Sequence, residues 1–194
     1  MKRIGSLLPV ILIVAGLAFY FIQRPHAFYG DAVQPGITVQ DFTLTGVDGP
    51  VSLHDFRGKL VVLFFGYTYC PDVCPSTLVT LGQAMQQLGP LAGDVQVIMV
   101  SVDPDRDTPE VLANYVANFD PSFAGITGTK DQIDRIAAAN DVFYEIKPGS
   151  SPDDYLISHT ASLLVLDADL NLVLLIPFGS TPSQIADDLK YLLK

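Results

Sequence analysis

Apolar runs of strand length recur along the chain and predict the strands of a largely buried sheet. The run KLVVLFFG, residues 59–66, is continuously apolar, as expected for a central parallel strand covered on both faces. The run DVQVIMVSV, residues 94–102, has the same character. Shorter apolar segments predict further strands near residues 123–127, 142–146, 162–167 and 170–178.

Between these runs, the apolar residues take the spacing of helices with one buried face. After Pro75, which can start a helix, apolar residues share one face, and Gly89-Pro90 ends the pattern. Capping residues predict three more helices, each with a threonine at its N-cap. The apolar face comprises Leu78, Leu81, Met85 and Leu88, and the three caps are Thr108 with Pro109 and Glu110, Thr129 with Gln132, and Thr181 with Pro182 and Gln184.

The order of these elements predicts an α/β fold. Two short segments, FTLT and VSL, flank a Val-Asp-Gly turn and indicate a small N-terminal β-hairpin. Three strand–helix repeats follow, which favours right-handed parallel crossovers, and a final hairpin adds an antiparallel edge before the closing helix. The predicted fold is therefore a thioredoxin-like mixed sheet flanked by helices, preceded by the N-terminal β-hairpin.

The N-terminus predicts one transmembrane helix. Residues 4–22 carry no charge, and a helix of this length spans roughly 28 Å, close to the ~30 Å hydrocarbon core of a bilayer. Lys2 and Arg3 precede it, which predicts that the rest of the chain is exported. A cleaved signal peptide is the alternative. Residues 1–24 are thus predicted to anchor the chain in a bacterial inner membrane, single-pass, with residues 25–37 as a tether and residues 38–194 as the periplasmic domain.

Charge excludes one class of partner. Beyond the predicted anchor the chain carries 8 basic and 21 acidic residues, a net charge of −13. Such a domain is a poor binder of nucleic acid and anionic lipid. The acidic surface would suit a cation or a basic partner, although a solvated surface without such a role is equally ordinary.

The two cysteines are the first candidates for chemistry. Cys70 and Cys74 lie where a buried strand ends and a helix begins, the usual place of ligand sites in α/β sheets. The positive end of the helix dipole is expected to lower thiol pKa values there and to favour thiolates, which bind metals. The alternative, a disulfide that only staples the fold, is weak because so short a loop constrains the unfolded chain little.

Of the three histidines, His159 has the most informative position. His26 lies in the predicted tether and His54 beside the hairpin, so both are interpreted as solvated loop residues. His159 immediately precedes the strand SLLVL, and in thioredoxin-like topology the loop before that strand faces the cysteine loop. Topology alone leaves two possibilities open, a site residue and a solvated one.

Three segments of the chain resemble the Sco/SenC family of copper proteins. They are GKLVVLFFGYTYCPDVCP, SVDPDRDTPE and DYLISHTASLLVLD, with the cysteines inside GYTxCPDxCP and the histidine about 90 residues later. The resemblance implies that Cys70, Cys74 and His159 bind copper, and that an acidic residue, here Asp103, lies near the site. A loop-capping role for Asp103 is the alternative. Asp72 is expected to shape the cysteine loop through backbone hydrogen bonds.

The donor set allows copper and does not by itself exclude zinc. Two thiolates and an imidazole satisfy three-coordinate Cu(I), and Cu(II) can add water or a carboxylate. Structural zinc needs four protein ligands, which these motifs do not supply, but a catalytic zinc with an open position remains possible. The family resemblance decides for a copper ion.

The resemblance implies a copper chaperone that delivers copper to the binuclear centre of cytochrome c oxidase. Its partners would be the copper-binding subunit of the oxidase, other periplasmic copper chaperones and thiol reductants. A thiol-disulfide oxidoreductase is the alternative, but Ala161 occupies the place where thioredoxins carry a cis-proline. A peroxiredoxin-type peroxidase is disfavoured because Thr68 lies only two residues before Cys70.

Overall fold

A computed structural model of the chain describes residue 13 and residues 27–149 and 154–194. Within these residues, no helix is both long and apolar enough to cross a membrane. The predicted transmembrane segment, residues 4–22, lies outside the described part except for Ile13, and so does His26.

A six-stranded mixed sheet forms the centre of the fold. Across the sheet lie, in this order, β1 (Asp31–Ala32), β10 (Leu172–Ile176), β9 (Leu163–Leu166), β4 (Leu60–Gly66), β5 (Val95–Ser101) and β6 (Ala124–Ile126). β4 and β5 are parallel, as are β5 and β6, whereas β9 runs antiparallel to β4 and β10 antiparallel to β9.

The central position of β4 follows from its composition. All seven of its residues are buried, because β5 and β9 cover its two edges and the core covers both faces. A continuous apolar run is the pattern that such a strand requires. The predicted mixed α/β sheet with flanking helices is confirmed.

Four α-helices surround the sheet: α1 (Val73–Leu88), α2 (Pro109–Ala117), α3 (Lys130–Ala139) and α4 (Pro182–Leu192). The predicted caps are present, with the hydroxyl of Thr108 accepting from the Val111 amide and reciprocal capping boxes at Thr129 and Thr181. Helix α1 packs against α4 and begins at Val73, two residues before the predicted start at Pro75.

Two hairpins lie outside the central sheet. The predicted one joins β2 (Thr43–Gly46) and β3 (Gly49–Ser52), and a 3-10 turn, Leu53–Phe56, follows it. The other joins β7 (Tyr144–Pro148) and β8 (Tyr155–His159). The sequence predicts a strand near β7 but none at β8, because the five residues of β8 carry only a short alternating pattern.

The predicted tether is partly built into the domain. Strand β1 falls within residues 25–37 and pairs with β10, so that β1 forms one edge of the sheet. Just before it, the backbone amides of Tyr29 and Gly30 donate to the buried carboxylate of Asp188 at 3.0–3.1 Å. This interaction joins α4 to a segment without hydrophobic periodicity, so a pattern-based interpretation could not find it.

Candidate metal centre

The two cysteines lie at the carboxyl end of the central strand. β4 ends at Gly66, a short loop carries Cys70, and Cys74 lies in the first turn of α1. Cys74 is fully buried and Cys70 is 9% exposed, so Cys70 is the more accessible of the two cysteines. A Cβ atom on Gly66 would lie 2.8 Å from a ring carbon of Phe64 and 3.0 Å from the Cys74 sulfur, which is tighter than most real Cβ contacts. Glycine at this position therefore leaves space for the sulfur and the ring.

His159 reaches the same point from a different element. It is the last residue of β8, paired with Tyr144, and not the loop residue that the sequence suggested. Its Nε2 lies 3.3 Å from the Cys74 Sγ. The donor atoms of Cys70, Cys74 and His159 all lie within 4.8 Å of one another. The structure therefore brings together all three residues that the sequence proposed as ligands.

The imidazole of His159 is held in one orientation and one tautomer. Its Nδ1 lies 3.0 Å from the Thr160 carbonyl oxygen, which can only accept, so Nδ1 carries the proton and Nε2 presents a lone pair to Cys74. Burial lowers the pKa of His159, which favours the neutral ring. The rings of Phe64 and Tyr67 contact the imidazole edge-on, with distances between ring centroids of 6.0 and 5.9 Å. A neutral imidazole with a free nitrogen is the form that ligates metals.

The expectation that the helix dipole would lower the thiol pKa values is wrong for Cys74. Burial raises the pKa of its thiol, and this exceeds the opposing effect of the Tyr67 backbone N–H. The Cys74 amide in turn donates to the Cys70 sulfur at 3.4 Å. A buried thiol stays protonated until a cation replaces its proton, so metal binding here must release one.

The donor set fits a soft monovalent metal. Two sulfurs and one imidazole nitrogen converge, which is a suitable three-coordinate set for Cu(I). Among the described residues, these three form the only group of three or more His, Cys, Asp or Glu side chains placed to share an ion. A fourth protein ligand for structural zinc is therefore not provided by the described part of the chain.

Asp103 takes part in a supporting network and not in this group. Its carboxylate accepts from Arg106 Nε and from the Tyr155 hydroxyl, both at 2.6 Å. Burial, reinforced by Asp103, raises the pKa of Tyr155 to about 12, so its hydroxyl stays a donor. Arg106 lies over the Tyr155 ring at 3.6 Å. The network ties the loop after β5 to β8, the strand that carries His159.

Asp107 is a supporting residue that sequence reasoning missed. Its buried carboxylate accepts from the Thr68 amide at 3.0 Å, the Thr68 hydroxyl at 2.5 Å and the Ser101 hydroxyl at 2.6 Å. Burial raises the pKa of Asp107, while these three donors oppose that shift. The bonds hold the loop before Cys70 against the end of β5. Its position in SVDPDRDTPE was the available signal, but no spacing links it to Thr68.

Two other residues behave differently from the cysteines and His159. The side chain of Asp72 makes no bond to the backbone of the loop, contrary to expectation, and instead accepts from the Ser76 hydroxyl at 3.3 Å. His54 pairs with Asp41 at 2.7 Å on the surface, with both side chains about half exposed. The interpretation of His54 as a solvated residue agrees with this exposure.

Two cysteines and a histidine converge at the end of the central strand of this thioredoxin-like domain. This arrangement is typical of a class of metal- and thiol-handling proteins. The family model for SCO1/SenC matches residues 30–194. The chain belongs to the SCO1/SenC family.

Curated relatives support this membership. The bovine mitochondrial "Protein SCO2 homolog" is 38% identical over 150 residues, which cover 76% of this chain and 55% of that protein. The chain spans between 39% and 55% of the length of this relative and of the human and Arabidopsis SCO1 homologues.

Solved structures of Sco proteins share the fold. Apo Sco1 from Thermus thermophilus has a TM-score of 0.79 at 42% identity, covering 86% of this chain and 98% of that one. ScoI from Bradyrhizobium japonicum, solved with copper bound, has a TM-score of 0.74 at 36% identity, covering 80% and 99%. BsSco, described as a Sco-family cytochrome c oxidase assembly protein with a disulfide switch, has a TM-score of 0.64 at 25% identity, covering 84% and 96%.

Proposed function

We propose that this protein binds one copper ion through Cys70, Cys74 and His159 and delivers it to the binuclear copper centre of cytochrome c oxidase. The observation that carries the proposal is the convergence of two sulfurs and one imidazole nitrogen within 4.8 Å. The copper found in the Bradyrhizobium relative and the assembly role stated for BsSco support the choice of metal and of acceptor.

The accessibility of the three donors suits transfer more than storage. Cys70 is 9% exposed, Cys74 is fully buried and His159 is partly exposed on a separate hairpin. An acceptor can therefore approach from the Cys70 side and replace one ligand at a time, while Cys74 keeps its bond until late. Two soft sulfurs favour Cu(I) in the resting complex.

Copper titration of the reduced protein, followed by transfer, tests this proposal. We expect one Cu(I) per chain, a higher melting temperature with copper through ligand linkage, and loss of tight binding after oxidation to the Cys70–Cys74 disulfide. The copper-loaded protein should then metallate the isolated copper-binding domain of the oxidase. Equal copper binding by the oxidised protein would exclude the sulfurs as ligands and contradict the proposal.

A thiol-disulfide oxidoreductase that keeps partner cysteines reduced is the second candidate. It is favoured by the closeness of the two free cysteines, whose sulfur atoms lie within 4.8 Å of each other. The disulfide switch described for BsSco supports it as well. An exported compartment would oxidise this pair, so a thiol reductant would be a necessary partner for either function.

Residues 1–24 are proposed to anchor the domain in a bacterial inner membrane, facing the periplasm. The uncharged residues 4–22 and the preceding Lys2 and Arg3 support this proposal. An anchor would keep the domain at the membrane surface, where an oxidase assembles. The tether would then be shorter than 25–37, because β1 already belongs to the sheet.

The full-length chain is therefore expected to fractionate with membranes and to resist extraction by alkaline carbonate. Protease added to the periplasmic side should digest the domain in spheroplasts. A matched chain that starts at residue 27 behind a cleavable export signal should appear in the soluble periplasmic fraction. A mature N-terminus near residue 25 in the purified natural protein would show cleavage instead of anchoring.

A further inference from the structure

Tyr67 occupies the space between the elements that carry the three donors. It follows Gly66 directly at the end of β4 and is 1% exposed, although it belongs to the loop that leads to Cys70. A tyrosine is seldom buried so completely, because its hydroxyl needs a partner. The contacts of this hydroxyl therefore show what the residue does.

The hydroxyl of Tyr67 joins the cysteine loop to the strand of His159. It accepts a buried hydrogen bond from the Ile157 backbone amide at 3.0 Å. Ile157 lies in β8, two residues before His159. Because β8 pairs only with β7 among the described strands, this bond is a direct link between β8 and the end of β4. The link limits how far His159 can move away from the cysteines.

The other parts of Tyr67 contact the remaining donors. Its ring meets the imidazole of His159 at 5.9 Å between centroids, almost perpendicular to it. Its backbone N–H opposes the rise in the pKa of the Cys74 thiol, and its side chain interacts with the Cys70 thiol. One residue thus interacts with all three donors of the proposed site.

The proton of the Tyr67 hydroxyl still requires an acceptor. The oxygen already accepts from Ile157, and a phenol keeps its proton at neutral pH. The Cys70 thiol is the side chain that interacts with this hydroxyl. A hydroxyl that donates to a thiolate sulfur lowers the energy of the sulfur lone pairs and fixes the direction in which they point.

We infer that Tyr67 is a positioning residue of the copper site, whose hydroxyl accepts from the Ile157 amide and donates to the Cys70 sulfur. This inference rests on the proposed function and assigns to Tyr67 the orientation of all three ligands. A residue that only filled the core would need its ring but not its hydroxyl. Removal of the hydroxyl oxygen should therefore affect copper binding if Tyr67 positions the ligands, and should leave it unchanged if Tyr67 only packs in the core.

Tyr67→Phe tests the inference, with Tyr115→Phe as the matched control. Tyr115 also has a buried hydroxyl, but that hydroxyl has no hydrogen-bond partner among the residues that the structure describes. Tyr67→Phe should weaken Cu(I) binding by about 10–100-fold, the usual effect of losing a residue that orients a ligand. In the Cu(II) form, the sulfur-to-copper charge-transfer band should move to lower energy. In the metal-free protein, the Ile157 amide should exchange with solvent faster. Tyr115→Phe should change none of these.

A second measurement covers the case in which Tyr67→Phe does not fold. In the reduced, metal-free wild-type protein, the Tyr67 hydroxyl proton should give a slowly exchanging resonance, and Cys70→Ala should abolish its protection. Unchanged copper affinity and an unmoved band in a folded Tyr67→Phe variant would overturn the inference, as would a hydroxyl proton insensitive to Cys70→Ala. Failure of the wild-type protein to bind copper would instead reject the proposed function, and the hydroxyl proton would still decide the hydrogen bond.

Discussion

Cys74→Ser is expected to lower Cu(I) affinity by more than about 100-fold, which is more than about 2.7 kcal/mol. The variant removes the most buried of the three donors and leaves one sulfur and one imidazole, too few for a stable three-coordinate site. The fold should persist, because serine is nearly isosteric and its hydroxyl can bond the neutral Nε2 of His159. Competition with a Cu(I) chelator measures the loss, and circular dichroism checks the fold.

Cys70→Ser is the matched control for the buried position. It should also weaken binding, but position 70 is 9% exposed whereas position 74 is fully buried. A serine at position 70 can therefore be hydrated, so the metal-free Cys70→Ser variant should be the more stable of the two. Copper binding by Cys74→Ser with wild-type affinity would show that the sulfur of Cys74 is not a ligand. The same pair of variants separates the effect of one lost donor from the effect of burial.

The raised pKa of Cys74 gives the wild-type protein a pH dependence that Cys74→Ser should lack. Copper must displace the Cys74 proton, so wild-type affinity should fall as pH falls. In the metal-free reduced protein the sign is opposite. The folded-state pKa lies above the unfolded value of about 8.5, so stability is fully present below that pH and is lost as pH rises above it. Urea titrations between pH 7 and pH 10 should show this loss in the wild type and not in Cys74→Ser.

The parts of the fold that depend on local sequence were predictable. The run of β4 identifies a strand buried on both faces, and the capping boxes at Thr129 and Thr181 identify helix starts, because their bonds join residues three apart. Strands β1 and β8 were missed for the opposite reason. Each is short, and each is stabilised by partners far away in sequence, such as Asp188 beside β1 and Tyr67 beside β8.

In the candidate site, too, some features follow from local sequence and others depend on contacts with distant residues. Sequence order places both cysteines at the end of a strand, and topology places His159 near them. The chemical state of the site depends on burial, which the sequence does not reveal. The helix start at Cys74 suggested a lowered thiol pKa, but desolvation is the larger effect at a fully buried sulfur. The supporting roles of Tyr67, Asp103 and Asp107 likewise depend on non-local hydrogen bonds.

His159→Ala separates the two candidate functions. The imidazole completes a metal site, whereas two thiols can exchange electrons without it. We expect a loss of copper affinity beyond about 10–100-fold, or at least roughly 1.4–2.7 kcal/mol, with Cu(II) affected most because it prefers nitrogen more strongly than Cu(I) does. The Cys70–Cys74 disulfide should still form and be reduced. The variant should fold, because His159 ends a short strand whose pairing with Tyr144 uses backbone groups.

Oxidase assembly in cells that carry His159→Ala then decides between the functions. His54→Ala is the matched control, because that histidine lies on the surface and pairs only with Asp41 in the described part of the chain. Failed assembly of the binuclear centre, with intact dithiol chemistry in the purified variant, supports copper delivery, since the only capacity lost is metal binding. Normal assembly despite lost copper binding would favour the oxidoreductase, since Cys70 and Cys74 alone would then be sufficient. Added copper should partly rescue assembly only in the first case, because mass action can offset a weakened site but has no effect on an intact thiol pair.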